Sequence, residues 1–316
     1  MIKPDRNDIK MVGQHSNWSE KGIGRALVDS VYADKASWRL FLKLLVLTLG
    51  ISFTVAGVIF FFAYNWDSLH KFFKLGIIEG LVIAATLMGV FVKTRPWVKK
   101  SILTGAAVLV GVLYAVFGQV YQTGADAYDF FLGWTLFISV WVFVSNFSPL
   151  WLVYMVLLNI TVILYAQQVA NNWPESLIFN ILFVLNALAL IGFLFVPRLL
   201  KREASPNWFT NILALAAATY GTIGISSGIF GKQDSSFWLL FLMFSLFYGL
   251  GIWMALSKRR LFYIAIIGFS CIIVFCAFLL SLSEGAEIFF SMGAFIVVGI
   301  TLLIRLLMTL QKKWNS

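Results

Sequence analysis

The chain has 316 residues, 60% of them hydrophobic and only 12% charged. Soluble domains carry roughly twice that charge and could not hide so much apolar surface, so the solvent of this fold is lipid. A net charge of +10 does not mark a nucleic-acid binder here, because the basic residues are spread over many loops and form no single basic domain.

Residues 1–43 are polar and charged and lack the short apolar core of a signal peptide. Within them Trp18-Ser19-Glu20 reads as a helix start, and Ile23, Leu27 and Val31 follow at fourfold spacing to give one apolar face. Such a helix either lies on the inner leaflet and leads into the first span, or docks a partner.

Ten apolar runs follow, at about 44–64, 75–92, 102–117, 130–146, 150–166, 177–196, 209–230, 237–256, 261–281 and 287–306. Each approaches the roughly 20 residues a helix needs to cross a hydrocarbon core about 30 Å thick. They are continuous, whereas the strands of a closed barrel would alternate in polarity. The predicted fold is therefore all-α, an integral membrane protein of about ten transmembrane helices spanning 44–306, with a short tail over 307–316.

Charge tests the count. Of the 24 basic residues, only Lys71, Lys74 and Lys232 fall in one set of alternate gaps, and the rest fall in the other set. Cytoplasmic loops keep Lys and Arg, which predicts both termini in the cytoplasm. The hairpin around Ser148-Pro149 is uncharged. Parity assigns it, because the basic clusters ending at Lys100 and starting at Arg198 must share a side. All six prolines fall in loops or at helix ends, where no helical hydrogen bond is lost. Ten helices permit two inverted halves, but residues 44–166 and 177–306 show no evident match. Cys271 and Cys276 share one apolar run and offer neither a disulfide framework nor a metal-binding spacing.

Acids cluster on the predicted outer side, at Asp67, Asp126, Asp129, Glu175, Asp234, Glu284 and Glu287. They are either simply tolerated there or form a vestibule for cations. Two outward segments are more specific. The first is Ala63-Tyr64-Asn65-Trp66-Asp67, followed by His70 and Lys71. The second is Phe117-Gly118-Gln119-Val120-Tyr121-Gln122-Thr123-Gly124-Ala125-Asp126, followed by Tyr128 and Asp129. An interfacial belt explains the aromatic rings. It explains the amides Asn65, Gln119 and Gln122 less well, since these need hydrogen-bond partners near the acyl boundary. Those partners are either the neighbouring loop or a ligand.

Glu79 is the one acid well inside a predicted span. It lies about 7 Å along the axis from Lys74, near the outer boundary. It is either a binding or proton-coupling carboxylate, or a partner of Lys74, His70 or Asn65. Asn159, Asn180 and Asn186 lie inside spans and read as interhelical hydrogen-bonding groups. Gly76/Gly80 and Gly224/Gly228 read as close-packing pairs.

The two outward segments resemble the signature stretches of a bacterial family of predicted membrane proteins, domain of unknown function 2157 (DUF2157), over roughly residues 15–170. Its members are similar in having an AYNWD-like end to the first span and a GQxYQTGAD-like loop after the third. The resemblance implies a polytopic inner-membrane protein and no agreed activity. It hints at a membrane-protein partner, because some relatives are described beside a family carrying a GDYxxLxY motif.

No HExxH, Walker A or GxSxG motif is present, and His15 and His70 are the only histidines. No catalytic residue, metal or cofactor is therefore expected. The candidate binding residues are Asn65, Trp66, Asp67, Glu79, Gln119, Tyr121, Gln122, Asp126 and Asp129. Two functions stand on them. One is transport of a small solute through an outward-facing polar and acidic site. The other is a non-catalytic scaffold or subunit of an envelope complex, with a membrane-protein partner reading the same loops or the N-terminal helix. The expected surroundings are the lipid bilayer, with no nucleic acid.

Overall fold

The computed structural model describes the chain outside residues 1–8, 10–11, 14, 31, 33–34, 65–68, 122–123, 125, 200–203, 232, 283–284, 286 and 316. Among the described residues the fold is all-helical. Its elements are α1 (Glu20–Ser30), α2 (Lys35–Tyr64), α3 (Lys71–Phe91), α4 (Pro96–Tyr121), α5 (Ala127–Ser145), α6 (Ser148–Gln168), α7 (Glu175–Leu199), α8 (Asn207–Phe230), α9 (Ser235–Ser257), α10 (Leu261–Leu282) and α11 (Glu287–Asn315). Ten helices, α2 to α11, are long and apolar enough to cross a membrane, and the chain is a polytopic membrane protein.

Each apolar run coincides with one of these helices, but most helices run further at one or both ends. Apolarity marks only the part that lies in hydrocarbon, while helical hydrogen bonding continues into the interface. Thus α2 starts at Lys35 and carries Arg39 and Lys43 ahead of its apolar run. Likewise α4 starts at Pro96, a residue suited to a first helical position, and includes Lys99 and Lys100.

The chain divides into two compact units, residues 1–68 with 311–316, and Leu69–Leu310. In the first, Ser19 caps α1 by accepting a hydrogen bond from the Gly22 N–H at 3.2 Å. Ile23 and Leu27 are half-buried on one side of α1, while Val28 is exposed.

The second unit is a bundle of sequentially packed helices. Gly89 of α3 lies beneath Leu103 of α4, where an added Cβ would come within 2.7 Å of Leu103 Cγ. The α4 segment Gly105–Gly111 is largely buried small residues, and Trp134 of α5 lies against it. The indole Nε1 of Trp134 donates to the Ala107 carbonyl at 2.8 Å. Asn146 ends α5 in the left-handed region, φ 42°, which Asn tolerates better than most residues, and Pro149 sits at the start of α6. A tight, uncharged hairpin results.

The core of the second half lies among α7, α8, α9 and α10, around Phe183, Ala217, Ile225, Leu240, Phe244 and Ile267. Gly224 and Gly228 on α8 admit Phe179 of α7 and Phe237 of α9 into the space a side chain would fill. This is the close packing of small residues that holds helices together in lipid. Three helices are also joined by hydroxyls: Thr222 and Ser270 share a short hydrogen bond, and Tyr248 Oη donates to Ser270 Oγ at 2.6 Å. Helix α11 joins α10 where Leu303 covers Gly268 and Phe295 meets Phe275 at 4.5 Å between ring centroids.

Contacts at helix ends sort the loops. At one end, the Tyr128 N–H donates to Gln168 Oε1 at 2.8 Å, and Ser176 Oγ donates to the Asp234 carboxylate at 2.9 Å. At the other, Arg260 Nη1 donates to Asn207 Oδ1 at 2.8 Å, and rings of Trp151, Phe193 and Phe209 form a chain with centroid spacings of 5.0 and 4.8 Å. From α4 to α10, the ends joined by the α4–α5, α6–α7 and α8–α9 connections thus gather on one side of the bundle, and those joined by the basic α7–α8 and α9–α10 connections gather on the other with the uncharged α5–α6 hairpin, as alternation along the chain requires.

Candidate functional site

Asn65, Trp66, Asp67 and Gln122 lie outside the described residues. The other candidates fall on α3, α4 and α5. Gln119 and Tyr121 occupy the last turn of α4, both exposed. The Tyr121 ring packs on Phe117, one turn back, at 4.7 Å between centroids, an i,i+4 pair that steadies the helix end.

Asp126 and Asp129 are brought together by local structure. Asp126 is the N-cap of α5, with extended backbone, and its N–H donates to Asp129 Oδ2 at 3.3 Å. This is the reciprocal half of a capping box, in which the third helical residue reaches back to an N–H that the helix leaves open. The next residue but one, Tyr128, is tied to the end of α6 through Gln168. Its ring lies 5.3 Å from that of Tyr165, which in turn lies 5.4 Å from Trp173. The polar and aromatic residues of this loop thus clasp the α4–α5 connection to the α6–α7 connection.

Glu79 stands apart. It is exposed on α3, while Lys74, Leu75, Ile78 and Val82 form the buried side of the same helix. Among the described residues no hydrogen bond or ion pair reaches its carboxylate. The flanking Gly76 and Gly80 meet nothing within 4 Å of an added Cβ, in contrast to Gly224 and Gly228. At the start of the helix Lys71 Nζ lies 5.3 Å above the Phe72 ring. Within the Leu69–Leu310 unit, Glu79, Gly76 and Gly80 therefore share an open face, and no hydrogen bond joins that face to Gln119, Asp126 or Asp129 among the described residues.

A third feature escapes sequence reading. A cavity of about 350 Å³ opens among α7, α8, α9 and α10 at the end where the basic loops gather. Its walls are mostly apolar, with Thr210, Tyr248 and Tyr263 among them, and Ser205, Asn207, Lys258 and Arg260 stand at the mouth. The sequence shows the charges but gives no sign that the helices beneath them part. Among the described residues no three His, Cys, Asp or Glu side chains come together to hold a metal ion.

No curated protein and no solved structure matches the chain. The exposed Gln119, the Tyr121–Phe117 pair and the Asp126–Asp129 cap belong to the stretch that carries the family resemblance, and Glu79 lies within the same part of the chain. Residues 25–151, which contain all of these, match the family described as predicted membrane protein, DUF2157.

Proposed function

We propose that the protein is a non-catalytic subunit of a complex in a bacterial cytoplasmic membrane, with both termini in the cytoplasm, and that it docks a helix of a second membrane protein on the open face of α3. The observation that carries this reading is the exposed Glu79 carboxylate between two glycines with open space above them. A carboxylate at membrane depth facing lipid costs several kcal/mol by translocon scales, roughly 2.5–3.5 at a helix centre and less near the boundary. A partner helix bearing a cationic or amide side chain removes that cost. Glycines on the same face let its backbone approach closely. Gln119 and Tyr121, exposed at the end of α4, supply polar outer surface that such a partner reads. The 1–43 segment serves as the cytoplasmic lead-in.

The test is a photoactivatable side chain at Ile83, which is exposed one turn from Glu79, introduced in the native membrane. One stoichiometric adduct with a second membrane protein, reduced at least about fivefold by Glu79→Gln, is expected. Adducts confined to lipid or to the chain itself overturn the proposal. Solute uptake that depends on Glu79 without any adduct favours transport instead, with Glu79, Asp67 and Asp126 as the binding or coupling acids.

A further inference from the structure

The cavity among α7, α8, α9 and α10 is a second feature, independent of the α3 face. Its depth follows from the helix registers. On α9 the lining runs from Phe247 to Ala255, with Lys258 just past the helix, and on α8 from Asn207 to Ala218. Both spans are about 15 Å at 1.5 Å per residue, close to half of a hydrocarbon core about 30 Å thick. The cavity thus extends from one membrane boundary to about the midplane. Ala218, Tyr248 and Ile267, all buried, close its floor.

The walls are mostly apolar side chains and the mouth is cationic. Lys258 and Arg260 line that mouth together with Ser205 and Asn207. Asn207 Oδ1 accepts one N–H of Arg260 at 2.8 Å, which fixes the guanidinium. A guanidinium has five N–H donors in a planar fork suited to two phosphate oxygens. Lys258 Nζ lies 5.9 Å from the Phe195 ring, at the same rim. The side of the cavity opens to lipid between α7 and α9. Ile191 and Phe195 on α7 and Leu250 and Trp253 on α9 line the cavity and are each more than 40% exposed. A volume of about 350 Å³ falls at the lower end of small-molecule pockets, roughly 300–1,000 Å³.

We infer that this cavity is a binding site for an anionic glycerophospholipid, which enters between α7 and α9, places one acyl chain in the cavity and seats its phosphate on Lys258 and Arg260. An apolar shaft one leaflet deep matches an acyl chain. Basic groups at its mouth match an anionic headgroup, as in other basic pockets between membrane helices. A free phosphate would use the mouth and leave the shaft empty, and a zwitterionic lipid would bring a second cation to a cationic rim.

The experiment is native mass spectrometry of the full chain in detergent. Palmitoyl-oleoyl phosphatidylglycerol and the matching phosphatidylcholine are added at equal concentration. The wild type is expected to retain one phosphatidylglycerol with at least about tenfold preference, the effect of losing a charge-assisted hydrogen bond. Lys258→Gln with Arg260→Gln, both exposed positions, should abolish the preference. Lys312→Gln with Lys313→Gln, which removes the same charge elsewhere, should leave it intact. Ala214→Phe, which fills the shaft, should lower retention of both lipids. Excess glycerol phosphate should not displace the bound lipid. Equal loss of preference in both charge pairs, retained preference in the Lys258/Arg260 pair, or displacement by glycerol phosphate each overturns the assignment. The charge pair keeps the test decisive if Ala214→Phe does not fold.

Discussion

Asn159 and Asn186 hydrogen-bond each other in both directions across the α6–α7 interface. Asn186 Nδ2 donates to Asn159 Oδ1 at 2.7 Å, and Asn159 Nδ2 donates back to Asn186 Oδ1 at 3.3 Å. Each amide also donates to a carbonyl one turn back on its own helix, Met155 and Leu182 respectively. Both side chains are buried, so the pair satisfies itself where no water is at hand.

Replacing one member therefore strands the other. Asn159→Leu or Asn186→Leu should each destabilise the protein by about 1–2 kcal/mol, the cost of an unsatisfied buried amide. The double variant should cost less than the sum of the two, because neither amide is left behind. The coupling expected in a membrane core is about 0.6–1.7 kcal/mol. Unfolding of the three variants in mixed micelles measures it. Strictly additive losses would show that the pair is not coupled.

The two glycine pairs make a contrast that one substitution type can read. At Gly228 an added methyl collides with the Phe237 ring, and at Gly224 it meets the Phe179 Cβ at 2.6 Å. Gly80 has open space above it. Gly228→Ala should cost about 1–3 kcal/mol by overpacking, while Gly80→Ala should leave the isolated protein within about 0.5 kcal/mol of wild type. Thermal unfolding in detergent compares them. Partner capture from the native membrane should show the reverse order, with Gly80→Ala the more damaging, if α3 is the docking helix.

The architecture was legible because lipid imposes a simple rule: a segment that crosses it must be long, apolar and internally hydrogen-bonded. Periodic loop charge then supplied the parity that Arg260–Asn207 and Ser176–Asp234 contacts now express as two ends of a bundle. The same signal misled about packing. Gly76/Gly80 and Gly224/Gly228 look alike in sequence, and nothing local says that only the second pair meets bulky rings from two neighbouring helices. Asp126 and Asp129 read as candidate ligands, while the structure engages them as the cap of α5. Their spacing of three residues ahead of an apolar run was the visible sign of that cap. Lys258 and Arg260 read only as topological markers, since the cavity beneath them depends on how α7, α8, α9 and α10 pack, which no sequence period encodes.

Loop charge predicts the sidedness, and the uncharged α5–α6 hairpin takes its side from parity. Single cysteines at Ser148 and Ser235, with Cys271 and Cys276 replaced by alanine, test it directly. A membrane-impermeant maleimide applied to intact cells should label position 235, beside the Asp234 cap of α9, and leave position 148 untouched until the cells are opened. Arg198 near the end of α7 with Lys201 and Arg202 after it, like the cluster ending at Lys100 before most of α4, bias their segments toward the cytoplasm. Four helices, α4 to α7, separate them. An even number returns the chain to the same face, so the hairpin between α5 and α6 must share it. Labelling of position 148 from outside would break that parity.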